Sequence, residues 1–139
     1  MGKVAFFLLW FLGVFFDQLT KWWAEGFLRE GAISVVPGVL KLHLRKNFAS
    51  AFGLQFLNRP QHVAVTLGVT AFFLLFLFSR RTCKSFPLYL GGSLYLAGAW
   101  GNLVDRLWRG YVVDFIEPSF WATFNVADVL IVAGVIGVV

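Results

Sequence analysis

The sequence predicts an all-α integral membrane protein with four transmembrane helices, and three observations carry that prediction. Of 139 residues, 59% are hydrophobic and 14% charged, where soluble domains run at about 45–50% and about 25%, and the mean hydropathy is +0.77. Two stretches, Pro60 to Ser79 and Ser85 to Val104, each hold 20 residues without a formal charge, enough to cross a bilayer core of about 30 Å at about 1.5 Å per helical residue. Two further apolar segments, one at each end of the chain, carry few charges: Val4 to Phe16 runs into Asp17 and resumes at Trp22, and Pro118 to Val139 contains Asp128 alone. A chain this short cannot turn so much apolar surface inward and still coat itself with polar groups. Disorder, collagen and disulfide-stapled scaffolds are excluded, since the single cysteine, Cys83, has no internal partner. The net charge of +5 is scattered along the chain rather than clustered, so it implies membrane and no nucleic acid.

Taken in order, helix one covers about residues 4–25. Lys3 and the apolar run behind it resemble a secretory signal peptide, but no small-x-small cleavage site follows and Trp22 and Trp23 suit a headgroup interface, so the helix is expected to stay uncleaved. The first loop, about 26–59, is too long for a mere connector. Within it Val35-Val36-Pro37-Gly38 reads as a turn, and Val39 to Leu44 alternates apolar and polar residues as a short strand does. Helix two covers about 60–79 and helix three about 85–107. The short loop between them carries Arg80, Arg81 and Lys84, which places it and both termini in the cytoplasm, although the opposite side holds more basic residues in total. The second loop, about 108–124, contains the strand-like Tyr111-Val112-Val113. Helix four, about 125–139, would rise only about 21 Å, short of the bilayer core. Residues 1–139 are expected to form one membrane-embedded unit.

Four spans bring the four aspartates to one side of the membrane: Asp17 near the end of helix one, Asp105 at the end of helix three, Asp114 in the second loop and Asp128 at the start of helix four. Ionisable groups at membrane depth are costly, so their gathering points to function. Ordinary structural roles also fit. Asp17 and Lys21 have the i,i+4 spacing of a helical ion pair, Asn125 and Asp128 that of a helix cap with a capping box, and Asp105 has Arg106 beside it. Asp114, between Val113 and Phe115, has no cation near it in sequence. His43 and His62 are isolated, no metal or nucleotide motif is present, and no cofactor is expected. Cys83 lies in the Arg-rich loop opposite the cluster and reads as an idle thiol. Paired carboxylates remain. One keeps a proton while the other stays charged, so the pair can activate water and protonate a leaving amine. A membrane aspartic peptidase and a small carrier or proton pathway both follow; a non-catalytic membrane subunit is a third reading.

Phe16-Asp17-Gln18-Leu19-Thr20-Lys21, Asn47 to Leu54, Gly101 to Arg106 with Gly110 to Phe115, and Phe124-Asn125-Val126-Ala127-Asp128 resemble, in order, the motifs of lipoprotein signal peptidase (signal peptidase II). That resemblance implies a bacterial inner-membrane aspartic peptidase, a monomer, with its active site at the extracytoplasmic face and a small β-sheet cradle formed by the first loop. The implied substrate is a prolipoprotein whose cysteine already carries a diacylglyceryl group, cut just before that cysteine. Residue by residue, Asp114 and Asp128 resemble the catalytic pair, Asn47, Asn102, Arg106 and Asn125 the substrate-positioning groups, and Asp17, Lys21 and Asp105 structural supports. The aromatic-rich helices would face lipid and acyl chains. Ala49 and Ser50 stand where the first-loop motif usually has Gly and Ala, and the spacer from Asp114 to Asp128 is short.

Overall fold

The computed structural model describes residues 2–48, 58–79 and 86–138. Four helices and three strands follow in the order α1 (Lys3–Phe27), β1 (Ile33–Val36), β2 (Leu40–Asn47), α2 (Arg59–Phe78), α3 (Phe86–Trp108), β3 (Val112–Pro118) and α4 (Val126–Val138). The loop with Arg80, Arg81, Cys83 and Lys84, and the first-loop positions Ala49 and Ser50, lie outside the described residues.

Local chemistry sets the element ends. α2 starts at Asn58, whose side chain accepts from the Gln61 N–H at 3.0 Å while Gln61 Oε1 accepts from the Asn58 N–H at 2.8 Å, a reciprocal capping box. α3 stops at Gly110, whose φ of 82° is left-handed and whose N–H reaches the Asp105 carbonyl at 3.1 Å. The β1–β2 hairpin turns on Pro37 and Gly38. Proline presets the first central position, Gly38 takes the positive φ of 74°, and the Val39 N–H closes the turn on the Val36 carbonyl at 3.0 Å.

The sheet is antiparallel throughout, in the order β1-β2-β3. It corrects the expected cradle in one respect: the first loop supplies only two strands, and the third comes from the loop between α3 and α4. Of the strand-like Tyr111-Val112-Val113, Val112 and Val113 begin that strand and Tyr111 precedes it; the strand pairs Val112 with Asn47 and Asp114 with Arg45. Val35 and Val36 also belong to β1 rather than to the turn, and β2 runs on to Asn47. β2 needs the partner strand to satisfy its outer backbone groups, so its pairing, more than its alternation, sets its length.

The core is split. Phe6, Tyr89 and Leu96 form one buried cluster between α1 and α3; Ala24, Leu28, Val113 and Phe115, with Leu42 and Leu44 of β2, form another under the sheet. Between them lies a polar layer, Asp17, Lys21, Asn102, Asp105 and Asn125, buried as deeply as the clusters. α3 and α4 pack backbone to backbone around it. A Cβ on Gly98 would overlap the Ala127 carbonyl oxygen, and one on Gly134 the Tyr95 nitrogen, so only glycine allows this approach. Large apolar side chains meanwhile point outward, among them Phe11, Phe15, Phe72, Leu75 and Ile136. Among the described residues α1 is long and apolar enough to cross a membrane, and α4 is a shorter apolar helix.

Candidate active site

Lys21, with no exposed surface, is the centre of the polar layer. Its ammonium lies 2.8 Å from Asp17 Oδ2 and 2.9 Å from Asp105 Oδ2, and donates to Asn102 Oδ1 at 3.1 Å, so all three donors are used. Asp17 Oδ1 accepts the Ala127 N–H at 2.8 Å, holding the first turn of α4, and Asp105 Oδ2 accepts the Val113 N–H at 3.0 Å, holding β3. A Cβ on Gly101 would strike Asp17 Oδ2, so a glycine is needed where the two helices meet.

Asp105 does not pair with Arg106, contrary to the reading of the sequence. Neighbours on a helix point apart, whereas residues four apart share a face, and Arg109 Nη1 lies 2.7 Å from Asp105 Oδ1. Arg109 was missed, as was Gln18. Gln18 Nε2 donates to Asp105 Oδ1 at 2.9 Å and to the Gly101 carbonyl at 3.0 Å, while its Oε1 accepts from Arg109 Nη1 at 2.8 Å. The i,i+4 spacing of Asp105 and Arg109 was the available signal. Arg109 also pairs with Glu25 at 3.1 Å, so three acids share two cations here, and Arg106 stays on the other side, with Nη1 on the Asn102 carbonyl at 3.2 Å.

Above the layer, two amides join Asp114 to Asp128. Asn125 Nδ2 donates to Asp114 Oδ1 at 2.7 Å and to Asn102 Oδ1 at 3.1 Å; Asn102 Nδ2 donates to Asp128 Oδ1 at 2.9 Å. Asn47, at the end of β2, donates to Asp114 Oδ2 at 3.0 Å. The expected capping box is present: the Asp128 N–H donates to Asn125 Oδ1 at 3.0 Å, and Asp128 Oδ2 accepts the Asn125 N–H at 3.2 Å. Capping occupies Oδ2 of Asp128 and the amide occupies Oδ1, so the cap and the site share one side chain.

Asp114 and Asp128 line one cavity of about 180 Å³ together with Asn47, Asn102 and Arg106. His62 and Thr66 of α2 close its far wall; His62 had looked isolated because α2 reaches the site only through packing against α3. Asp114 is 3% exposed. Burial pushes its carboxyl up to about 6; the hydrogen bond from Asn47 opposes the rise, the charge of Asp128 adds to it, and Asn125 and Lys21 again oppose it. The nine residues singled out in the sequence therefore fall in one continuous network: Asp17, Lys21, Asp105 and Asn125 in the buried layer, with Asn102, Asp114, Asp128, Asn47 and Arg106 around the cavity. A buried carboxyl and a second carboxylate, sharing a cavity with an arginine and amide donors, can divide proton transfer between them.

Known proteins match this chain in sequence and fold. Residues 9–139 match the family model described as signal peptidase (SPase) II. The lipoprotein signal peptidase of Thermodesulfovibrio yellowstonii is 39% identical over 132 residues, covering 91% of this chain and 86% of that protein. The lipoprotein signal peptidase of Moorella thermoacetica is 38% identical over 137 residues, covering 96% and 89%. A solved bacterial membrane enzyme superposes with a TM-score of 0.88 at 26% identity, covering 98% of this chain and 85% of that one. Sequence and fold agree, and the chain belongs to the signal peptidase II family of aspartic peptidases.

Proposed function

We propose that this protein is an aspartic endopeptidase of the bacterial inner membrane that removes the signal peptide from prolipoproteins, cutting before a diacylglyceryl-modified cysteine. The observation that carries the mechanism is the single cavity shared by Asp114 and Asp128. Asp128 stands at the N-terminus of α4, a favourable place for a negative charge, and takes a proton from the attacking water. Asp114, whose carboxyl holds its proton up to about pH 6, polarises the scissile carbonyl and protonates the leaving amine. Asn47, Asn102 and Asn125 fix the two carboxyls, and Arg106 faces the substrate. Asp17, Lys21 and Asp105 hold α4, α1 and β3 in register beneath them.

Support for four spans and an interfacial site comes from the exposed faces of the helices and from the position of the aromatics. Trp22, Phe27, Phe48, Trp108, Phe120 and Trp121 are all exposed, and all lie near or beyond the sheet-proximal ends of the elements that carry them, where an interfacial belt is expected. The sheet then stands on the extracytoplasmic side and both termini in the cytoplasm, and the protein acts as a monomer. The test is cleavage of a purified diacylated prolipoprotein, in which Asp114→Asn and Asp128→Asn should each lose at least about a thousandfold in rate, of the order seen when a group central to proton transfer is removed. Intact substrate with the unaltered protein, or undiminished cleavage by either variant, would overturn the proposal. The carrier reading is not favoured, because the acids are gathered at one level, with no ionisable residue from Val63 to Phe78 of α2.

A further inference from the structure

We propose that the sheet face beside the aspartate pair is a subsite for the substrate segment that follows the cleaved bond, and that Lys41 and Arg45 make it select acidic side chains there. The inference rests on the peptidase reading above. Leu42 and Leu44 of β2 pack on the core, and a bulge between Leu42 and Arg45 interrupts the alternation, yet Lys41, His43 and Arg45 all converge on one carboxylate. Glu117 lies 3.1 Å from Lys41 Nζ, 2.9 Å from His43 Nδ1 and 3.5 Å from Arg45 Nε. One acid faces two permanent cations and a histidine, so the face keeps a positive surplus. The acid is sunk and the cations stand out: Glu117 is 17% exposed, Lys41 46% and Arg45 53%.

One end of this cluster lies beside the cleavage site. Arg45 stands directly opposite Asp114 in the strand pairing, and Asn47, two residues further, donates to Asp114. At its other end Lys41 and Glu117 open into a cavity of about 490 Å³, lined also by Ser34, Ser119 and Trp121. Cleavage leaves the apolar signal peptide in the bilayer, and the chain that follows the cut is the part that must reach water, past the sheet. From Asp114 to Glu117 is three strand residues, about 10 Å at the extended rise, so the second to fourth residues after the cut pass Arg45, Glu117 and Lys41. A lipid phosphate would meet the same cations. The row, however, points from the carboxylates toward a cavity several times the size of a phosphate group, and that favours a peptide.

The experiment uses the full chain in zwitterionic bicelles and two diacylated prolipoproteins identical except at the second to fourth residues after the cut, the three that follow the lipidated cysteine, aspartate and glutamate in one, asparagine and glutamine in the other. The acidic substrate should show a KM about three- to tenfold lower, the size expected of two partly exposed ion pairs. The double variant Lys41→Glu, Arg45→Glu should reverse that ratio. Because the ratio is read within each preparation, partial misfolding does not imitate it. Equal KM for the two substrates, a ratio untouched by the double variant, or a preference seen only when anionic lipid is added, which would mark a headgroup site, overturns the subsite alone. Failure of the unaltered protein to cleave either substrate overturns the peptidase reading and the subsite with it.

Discussion

At Asp114 the environment sets the chemistry more than the residue type does. Burial raises its carboxyl to about 6 while the Asn47 amide holds it down. If the protonated form is the working one, kcat/KM falls as pH rises above about 6, because the proton to be donated is lost. Removing the amide in Asn47→Ala removes a hydrogen bond that favours the carboxylate, so the falling limb should move to higher pH; a pH-rate profile that shifts downward, or stays fixed, contradicts this assignment. Lys21 makes the opposite point. Lys21→Met leaves Asp17 and Asp105 buried without their cation, and breaking such a pair costs about 3–5 kcal/mol. Its unfolding midpoint in detergent should drop sharply, with kcat failing only through loss of fold. The aspartates and Lys21 were legible because charge is scarce in this chain and their spacings are helical. Gln18 was harder to see, since a glutamine bridging two helices leaves no periodic trace, whereas the i,i+4 spacing of Arg109 to Asp105 was overshadowed by Arg106 next to it.

Elements show where local rules reach and where they stop. The capping boxes at Asn58 and Asn125, the Pro-Gly turn and the alternation of β2 are local, and each is visible in a few consecutive residues. The pairing of β2 with β3 joins Asn47 to Val112 across two helices, and nothing in either segment alone names its partner. The same holds for the α3–α4 contact, whose glycines read individually as neutral. Gly98→Ala would drive a Cβ into the Ala127 carbonyl, pushing α4 and Asp128 away from α3. Overpacking of this kind costs about 1–3 kcal/mol, and its loss of cleavage should exceed its loss of stability because Asp128 moves with the helix. Gly68→Ala, where the added methyl meets nothing within 4 Å, should be silent in both thermal unfolding and turnover.

Across the whole molecule, the apolar exterior and the one-sided gathering of aspartates bear on orientation. In the proposed orientation Phe120, 77% exposed beyond β3, stands at the extracytoplasmic face and the loop carrying Cys83 at the cytoplasmic one. In spheroplasts, a membrane-impermeant thiol reagent should label Phe120→Cys in a Cys83→Ser background without lysis, and should label native Cys83 only after lysis; the reverse pattern inverts the topology. Four helices were read, two from charge-free stretches and two from apolar segments with few charges, and the four helices of the fold were legible in this way because a long apolar run marks its own extent. Whole-chain features that depend on which helix meets which, such as the polar layer between two apolar clusters, were not readable in this way.

The bond from the Ala127 N–H to Asp17 joins residues 110 positions apart, and it has a consequence for biogenesis. A chain emerging from the ribosome presents Asp17 first and Ala127 last, so Asp17 and Lys21 wait through most of synthesis for the helix that completes their surroundings. Until α4 docks, Asp128 has neither Asn102 nor its place beside Asp114. With the roles proposed for Asp114 and Asp128, a partly inserted chain lacks its working pair of carboxyls until the last helix arrives.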